Sequence, residues 1–332
     1  MGSGKRRVTI VGAGIIGSSI AWRLAQAGAE VTLIDAGRLG GEASWAGAGM
    51  LAPGGEFDRE SVWTRLSNES MDLYPAFVEE LSRESGVPID YRVCGAVEYA
   101  FSDGEWEQLI ARAEAQRGLG IESRIEGRSV MYPAEAQVDP RDVTRALRCA
   151  CLRRGAKVIE DKRVDEFDCD EIDAVVIAAG AWSSEIAICY RGELVALPRT
   201  FPIKGHLIGF DLPAGSIPHI AREGHTYVLQ RSNGFTIAGS TNERAGFDRA
   251  IDPALCEEIH RRAARVCPVL EEIEPSERWI GFRPATDSEE PALGRAGGTN
   301  VWLAYGHYRN GILLAPVTAK RITGEIIDSL IQ

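Results

Sequence analysis

Apolar and polar positions change period twice within the N-terminal stretch VTIVGAGIIGSSIAWRLAQAGAEVTLID, residues 8–35. A short apolar run, Val8–Val11, has the look of a strand. An amphipathic helix follows, then a second strand that ends on an acid, Asp35. Helical spacing returns over residues 61–85, where Val62, Leu66, Leu73, Phe77 and Leu81 share one face, and Pro75 predicts a kink. Tyr91–Phe101 reads as a strand, Glu105–Arg117 and Asp142–Arg154 as helices, and Lys157–Ile159 as a short strand. The unbroken apolar run Ala174–Ala179 has the character of a strand buried on both faces of a parallel sheet, rejoining the sheet begun at residue 8.

The middle of the chain changes texture. Thr200–Ile203, His206–Phe210, Thr226–Gln230 and Phe235–Ser240 are short β-type runs, and Ser232-Asn233-Gly234 is a hairpin signal between the last two. Pro253–Val266 is a helix, Arg278–Phe282 and Val301–Tyr305 are strands, and Gly311–Leu330 closes the chain as a helix. The α/β pattern at both ends and the antiparallel block between them predict an α/β fold: a Rossmann-type nucleotide domain with a second, mostly antiparallel β-sheet domain for substrate. The boundaries place residues 1–88, 140–196 and 284–332 in the nucleotide domain, and 89–139 and 197–283 in the other.

The turn at residues 12–17, G-A-G-I-I-G, supplies the first candidate chemistry. Gly12 lets the chain turn off the strand, Gly14 lets backbone N–H groups approach a pyrophosphate, and Gly17 lets the helix pack close to the sheet. The helix N-terminus offers unpaired N–H groups and partial positive charge to phosphates. Asp35 stands where a carboxylate accepts a ribose hydroxyl and repels a 2′-phosphate, which favours FAD or NAD over NADP. Residues 37–56, GRLGGEASWAGAGMLAPGGE, are too rich in small residues for an ordinary helix and suit a backbone pressed against a flat ligand, or else a loop.

Two C-terminal segments add to this. In YGHYRNGILLAP, residues 305–316, a strand ends at Gly306 and an Asn310-Gly311 turn leads into the last helix, a second N-terminus able to stabilise negative charge such as that of a reduced flavin. In WIGFRP, residues 279–284, Arg283 ends an apolar strand. Its planar fork matches a carboxylate, and a salt bridge to Glu274, Glu277 or Asp287 is the structural alternative. Tyr227 on its strand could bond a substrate carboxylate or simply edge the core, and His225 shares its face.

Composition narrows the partners. The chain has 332 residues, 45% hydrophobic and 26% charged, as in ordinary globular proteins. A formal net charge of −11 argues against nucleic acid and anionic membranes as partners. No apolar run is long enough to span a bilayer. Val8–Val11 is consumed as a strand, which argues against a signal peptide despite Lys5, Arg6 and Arg7, and Met1–Gly4 reads as a frayed start. Seven scattered cysteines and five histidines outline neither a disulfide framework nor a metal site, and fit a reducing cytoplasm.

With these segments assembled, the chain resembles the D-amino-acid-oxidase-type flavoproteins, above all the bacterial glycine oxidases of thiamine biosynthesis. VGAGIIGSSIAWRLA, GEASWAGAGMLAP, VIAAGAWS, GFRPAT and GHYRNGILLAP carry the resemblance in the family's order from residue 8 to residue 319. It implies FAD held without a covalent tether, since no cysteine follows Cys267. Ile15 and Ile16 would lie in the pyrophosphate turn, Asp35 and Ala36 at the adenosine ribose, and Ala43 and Ser44 at the pyrophosphate and ribityl chain. Ala48, Gly49 and Met50 would lie along the isoalloxazine, Val164 at adenine, Gly180 in the cofactor wall, and His307, Tyr308, Arg309, Asn310, Gly311, Ile312 and Leu313 around the pyrimidine end. Arg283 corresponds to the family's carboxylate clamp, Arg309 to a second substrate-side arginine and Tyr227 to the active-site tyrosine. The stretch from Lys157 to Ala174 is shorter than the family's usual β-meander, and Tyr132–Arg141 is compressed.

The implied activity is oxidation of glycine, sarcosine or D-alanine by hydride transfer to flavin N5, giving a 2-oxo acid, ammonia and hydrogen peroxide, with dioxygen as co-substrate. A homo-oligomer is a further family expectation. The alternatives are a dehydrogenase of the same fold using another acceptor, an NAD-dependent dehydrogenase, and a non-catalytic flavin-binding subunit.

Overall fold

The computed structural model describes residues 6–331, so the expected frayed start at Met1–Gly4 lies outside the described residues. A six-stranded sheet is ordered Ala292–Arg295, Val301–Tyr305, Ala174–Ile177, Arg7–Val11, Glu30–Ile34, Lys157–Ile159, all parallel except the first strand. Its strands alternate side chains between two covered faces. Val8, Ile10, Val176, Trp302 and Ala304 face a helical layer made of Ile15–Gln26, Val62–Ser85, Pro140–Arg153 and Gly311–Ile331. Val11, Val175, Ile177, Val301 and Leu303 face a three-stranded sheet of Glu166–Asp168, Ala187–Tyr190 and Glu193–Leu194. That small sheet lies partly in the shortened region after Lys157, and only one of its strands precedes Ala174.

An eight-stranded, mostly antiparallel sheet follows the order Glu277–Thr286, Thr200–Asp211, Phe235–Gly239, Thr226–Gln230, Ile220–Glu223, Ala96–Tyr99, Ser129–Tyr132, Arg124–Glu126. One pair, Ile220–Glu223 with Ala96–Tyr99, is parallel. Ile208, Phe210, Val228 and Ala238 pack on the helix Pro253–Val266, through Cys256, Ile259 and Ala263. The opposite face carries Leu207, Tyr227, Leu229, Ile237 and Trp279 against Ala46 and Ala48, which belong to the small-residue stretch. Alternation along the strand thus sends Tyr227 toward the small-residue stretch and its neighbour Val228 away from it.

Several elements depart from the sequence reading. Thr200–Ile203 and His206–Phe210 are one strand, Thr200–Asp211, paired from Thr200 to Gly209 with Glu277–Thr286, which itself runs past the boundary drawn at 283/284. Tyr91–Phe101 is two strands, Tyr91–Val93 and Ala96–Tyr99, which join different sheets and are separated at Gly95, where φ is +70°. The helix expected from Asp142 begins at Pro140, because Asp139 caps it through the Arg141 N–H and proline fits the first helical turn. The helix Val62–Ser85 is continuous through Pro75. Among the described residues, no helix is long and apolar enough to cross a membrane.

Candidate active site

The glycine turn at residues 12–17 is packed tightly at two of its glycines. A Cβ on Gly12, at φ +104°, would lie 2.4 Å from the Ala178 carbonyl, and one on Gly17 would lie 1.9 Å from the Gly12 oxygen. The helix starting at Ile15 has no side-chain cap from Gly14, and no acid stands in its first turn. Ser44 Oγ accepts the Ile15 N–H at 2.9 Å, which ties the small-residue stretch to the helix N-terminus. Asp35 accepts the Ala13 N–H at 2.6 Å and the Gly37 N–H at 2.9 Å. Burial raises its pKa, and these two backbone bonds oppose the rise. The carboxylate expected only as a ribose acceptor therefore also buttresses the glycine turn.

From this turn a cavity of about 510 Å³ runs to the eight-stranded sheet, a size usual for cofactor and ligand sites. The cavity is lined at one end by Asp35, Ala36 and Val164, and along its length by Gly12, Gly14, Ile15, Ile16, Ala43, Ser44, Ala48, Gly49, Met50 and Gly180. Its far end is lined by Tyr227, Arg283, His307, Tyr308, Arg309, Asn310, Gly311 and Ile312. Two expected cofactor residues are not in the wall. Gly17 serves the packing of the helix on the turn, and Leu313 is buried in the helical core, its carbonyl accepting the Ser70 hydroxyl at 2.6 Å.

The long wall is built by backbone. Gly49 has φ +79°, and a Cβ there would lie 1.9 Å from the Val138 carbonyl oxygen. The buried Arg231 guanidinium donates to the carbonyls of Val138, at 2.9 Å, and Ala48, pinning the loop from both sides of that contact. Trp279 Nε1 donates to the Ala46 carbonyl at 3.0 Å. An elongated slot with bare backbone along its length and a helix N-terminus beside it fits an extended dinucleotide carrying a flat ring system.

At the far end, Arg283 has none of the carboxylate partners the sequence offered. Its Nη1 donates to the Thr241 carbonyl at 3.0 Å and its Nη2 to Ser240 Oγ at 2.7 Å. Burial lowers its pKa, and the charge of Arg309 adds to the effect. A guanidinium does not give up its proton in a protein, so Arg283 holds a positive charge facing the cavity without an acid bound to it. Its planar group also lies over Gly205, where a Cβ would come within 2.4 Å of Nη2. The Tyr227 phenol is held neutral by burial and shares the Ser240 hydroxyl with Arg283. Arg309 is paired: Nη2 lies 2.9 Å from Glu56 Oε1, and Nη1 lies 3.5 Å from His225 Nδ1. His307 is buried behind this end, with Nε2 3.0 Å from Thr318 Oγ1, and burial pushes its pKa down to about 3, so it is a neutral imidazole.

Sequence reasoning missed Ser240, Thr241, Glu56 and Arg231. Ser240 and Thr241 follow an ordinary strand, and only its pairing brings them to Arg283. Glu56 was visible only as the last residue of the small-residue stretch. Arg231 follows the strand Thr226–Gln230, and its target carbonyls lie 93 and 183 residues away.

Known proteins are similar to this chain over nearly its whole length. The chain is 32% identical over 345 residues to a glycine oxidase of Pseudomonas aeruginosa, covering 95% of this chain and 93% of that protein. It is 32% identical to the bifunctional protein ThiO/ThiG of Synechocystis, of which it spans about half, 52% of the length. The crystal structure of glycine oxidase from Geobacillus kaustophilus superposes with a TM-score of 0.90 at 29% identity, over 98% of this chain and 95% of that one. The pattern of the DAO family of FAD-dependent oxidoreductases matches residues 7–324, which take in the glycine turn, the bare-backbone slot and the arginine end alike, and the chain belongs to that family.

Proposed function

We propose that this protein is an amino acid oxidase that uses FAD to deaminate glycine or a similarly small amino acid, such as sarcosine or D-alanine. The observation that carries this reading is Arg283, a half-buried cation bound only to neutral oxygens at the end of the slot. It matches one substrate carboxylate, which its fork grips through two parallel hydrogen bonds.

Gly12, Gly14, Ile15, Ile16, Ala43 and Ser44 would hold the pyrophosphate and ribityl chain, Asp35, Ala36 and Val164 the adenosine end, and Ala48–Met50, Gly180 and His307–Ile312 the flavin ring, without a covalent tether. When bound, FAD supplies the two-electron oxidation, accepting the substrate α-hydrogen as hydride and passing the electrons to dioxygen to give hydrogen peroxide. Arg283 orients the substrate through its carboxylate, and holding reactants in register is a major source of rate. Tyr227 and Ser240 complete the carboxylate site. Tyr227 stays a phenol rather than a phenolate because burial raises its pKa, so it donates rather than takes a proton. Among the groups lining this end, Glu56 is committed to Arg309 and His307 to Thr318, so the substrate amine enters the reaction already neutral. The imine product then hydrolyses to a 2-oxo acid and ammonia, or methylamine where the substrate is sarcosine. The acidic chain and its scattered thiols fit action in the cytoplasm, and association into a homo-oligomer belongs to the same reading.

The test is an anaerobic absorbance spectrum of the FAD-loaded protein before and after glycine. Bleaching that reverses on admitting air, with peroxide formed, supports the oxidase. Bleaching that persists in air and reverses only with an added quinone identifies a dehydrogenase. A spectrum unmoved by glycine, sarcosine and D-alanine overturns the substrate assignment.

A further inference from the structure

The two arginines at the substrate end differ in one respect that sets what the site accepts. Arg283 faces the cavity with neutral partners only, whereas Arg309 carries its own counter-ion, Glu56, at 2.9 Å. Both members of the pair are largely withdrawn from water, with side-chain exposures of 25% and 18%. All three residues line the same cavity as Tyr227, and Glu56 lies near enough to bias both Arg283 and Tyr227 electrostatically. A further cation in the wall, Arg249, is tied to Glu42 at 2.6 Å. The substrate end therefore contributes two positive charges and one negative, leaving a single uncompensated cation.

Glu56 is held by more than its partner. It ends the short turn Pro53–Gly55, whose Gly54 N–H is accepted by Glu135 at 2.7 Å. Glu135 is itself buried and paired with Arg222, which also pairs Glu98 at 2.9 Å. Gly55 lies against the Arg222 guanidinium, where an added Cβ would be 3.1 Å from Cζ. The turn that presents Glu56 thus rests on a buried ionic network, and moving the carboxylate aside means disturbing that network.

We propose that Glu56 is a specificity-determining residue: by neutralising Arg309 it limits the site to substrates with one anionic group and rejects amines bearing a second. This rests on the reading of Arg283 as the carboxylate clamp. A second carboxylate on the substrate finds no free cation, and it meets Glu56 in a site of low polarity, where like charges repel strongly. Discrimination here comes from a repulsive group as well as an attractive one.

Binding of simple anions to the FAD-loaded protein, followed by the change in flavin absorbance, tests this without turnover. Acetate serves as the monocarboxylate and malonate as the dicarboxylate. In the unaltered protein acetate should bind more tightly than malonate by about tenfold or more. Glu56→Gln should shift the acetate-to-malonate affinity ratio toward malonate by about tenfold, because Arg309 then becomes an open cation. Glu56→Asp, which keeps the charge, should leave the preference for acetate in place. Arg309→Met should move the ratio the other way, since it leaves Glu56 unpaired, and this variant keeps the question open to test if Glu56→Gln fails to fold. Equal binding of the two anions by the unaltered protein overturns the inference, as does a ratio that neither Glu56→Gln nor Arg309→Met moves. If the protein bleaches with glycine and binds acetate in either of those cases, the oxidase reading stands and only the role of Glu56 falls. If acetate perturbs nothing and glycine bleaches nothing, the clamp reading falls and takes this inference with it.

Discussion

At the scale of single residues, charge and burial decide what each group can do. Arg283→Leu removes a cation that, among the described residues, has no acid partner, so we expect FAD to stay bound while carboxylate affinity falls by about 2–5 kcal/mol, measured by acetate titration of the flavin spectrum. Unchanged acetate affinity in that variant would remove Arg283 from the site. His307 gives a pH dependence. Burial holds its folded pKa at about 3, below the ordinary 6.5. An unfolded chain binds a proton there that the folded chain refuses, so the contribution is complete above pH 6.5 and is lost as pH falls from 6.5 toward 3. At pH 5 the loss amounts to about 2 kcal/mol. Thermal melting of the protein and of His307→Gln between pH 7 and about 5 checks this, and the variant should show the shallower slope. Arg283 as a candidate was legible in the sequence, as an arginine closing an apolar strand. That it has no acid partner was not, since Glu274, Glu277 and Asp287 were all near in sequence and none of them reaches it.

At the scale of elements, the glycine turn and its helix could be read directly, because strand, turn, helix and strand follow one another in the chain, although the tight packing at Gly12 is against Ala178 from a distant strand end. The slot wall could not. Ala48, Gly49 and Met50 are recognisable as small or flexible residues, yet what holds them is Arg231 on the hairpin of the other sheet. Arg231→Met should leave the buried carbonyls of Ala48 and Val138 without that donor, at about 1–3 kcal/mol each. The expected result is a lower melting temperature together with faster loss of FAD on dilution. A drop in melting temperature with FAD retention unchanged would make Arg231 a general support rather than a support of the slot. The same dependence on partners explains why Thr200–Asp211 was read as two strands. Lys204, Gly205 and His206 interrupt its apolar pattern, but the continuous register with Glu277–Thr286 pays no heed to that interruption.

For the whole molecule, the question is how the two sheets come to share one cavity. Tyr227, Arg283 and Ser240 come from the eight-stranded sheet and its strand ends, the pyrophosphate turn from the six-stranded sheet, and the small-residue stretch bridges them through Ala46, Ala48 and Trp279. Near that bridge sits Arg222, fully enclosed by Glu98, Glu135 and the ring of Tyr132. Arg222→Met should strand the buried Glu135 carboxylate, while Glu98 keeps Arg112, and cost about 3–5 kcal/mol, seen in denaturant unfolding. A cost below about 1 kcal/mol would mean that the acid finds water or a proton at no expense. The sequence by itself determined the α/β class, a dinucleotide-type glycine turn, the family and the candidates Tyr227, Arg283 and Arg309, because each rests on local backbone geometry or on side-chain chemistry that survives in a linear string. The tertiary structure alone decided that Arg283 stands without a counter-ion, that Arg309 is matched by Glu56, and that Asp35 and Arg231 buttress the slot. Those are pairings between residues distant in the chain, and a charge has no partner until folding brings one within reach.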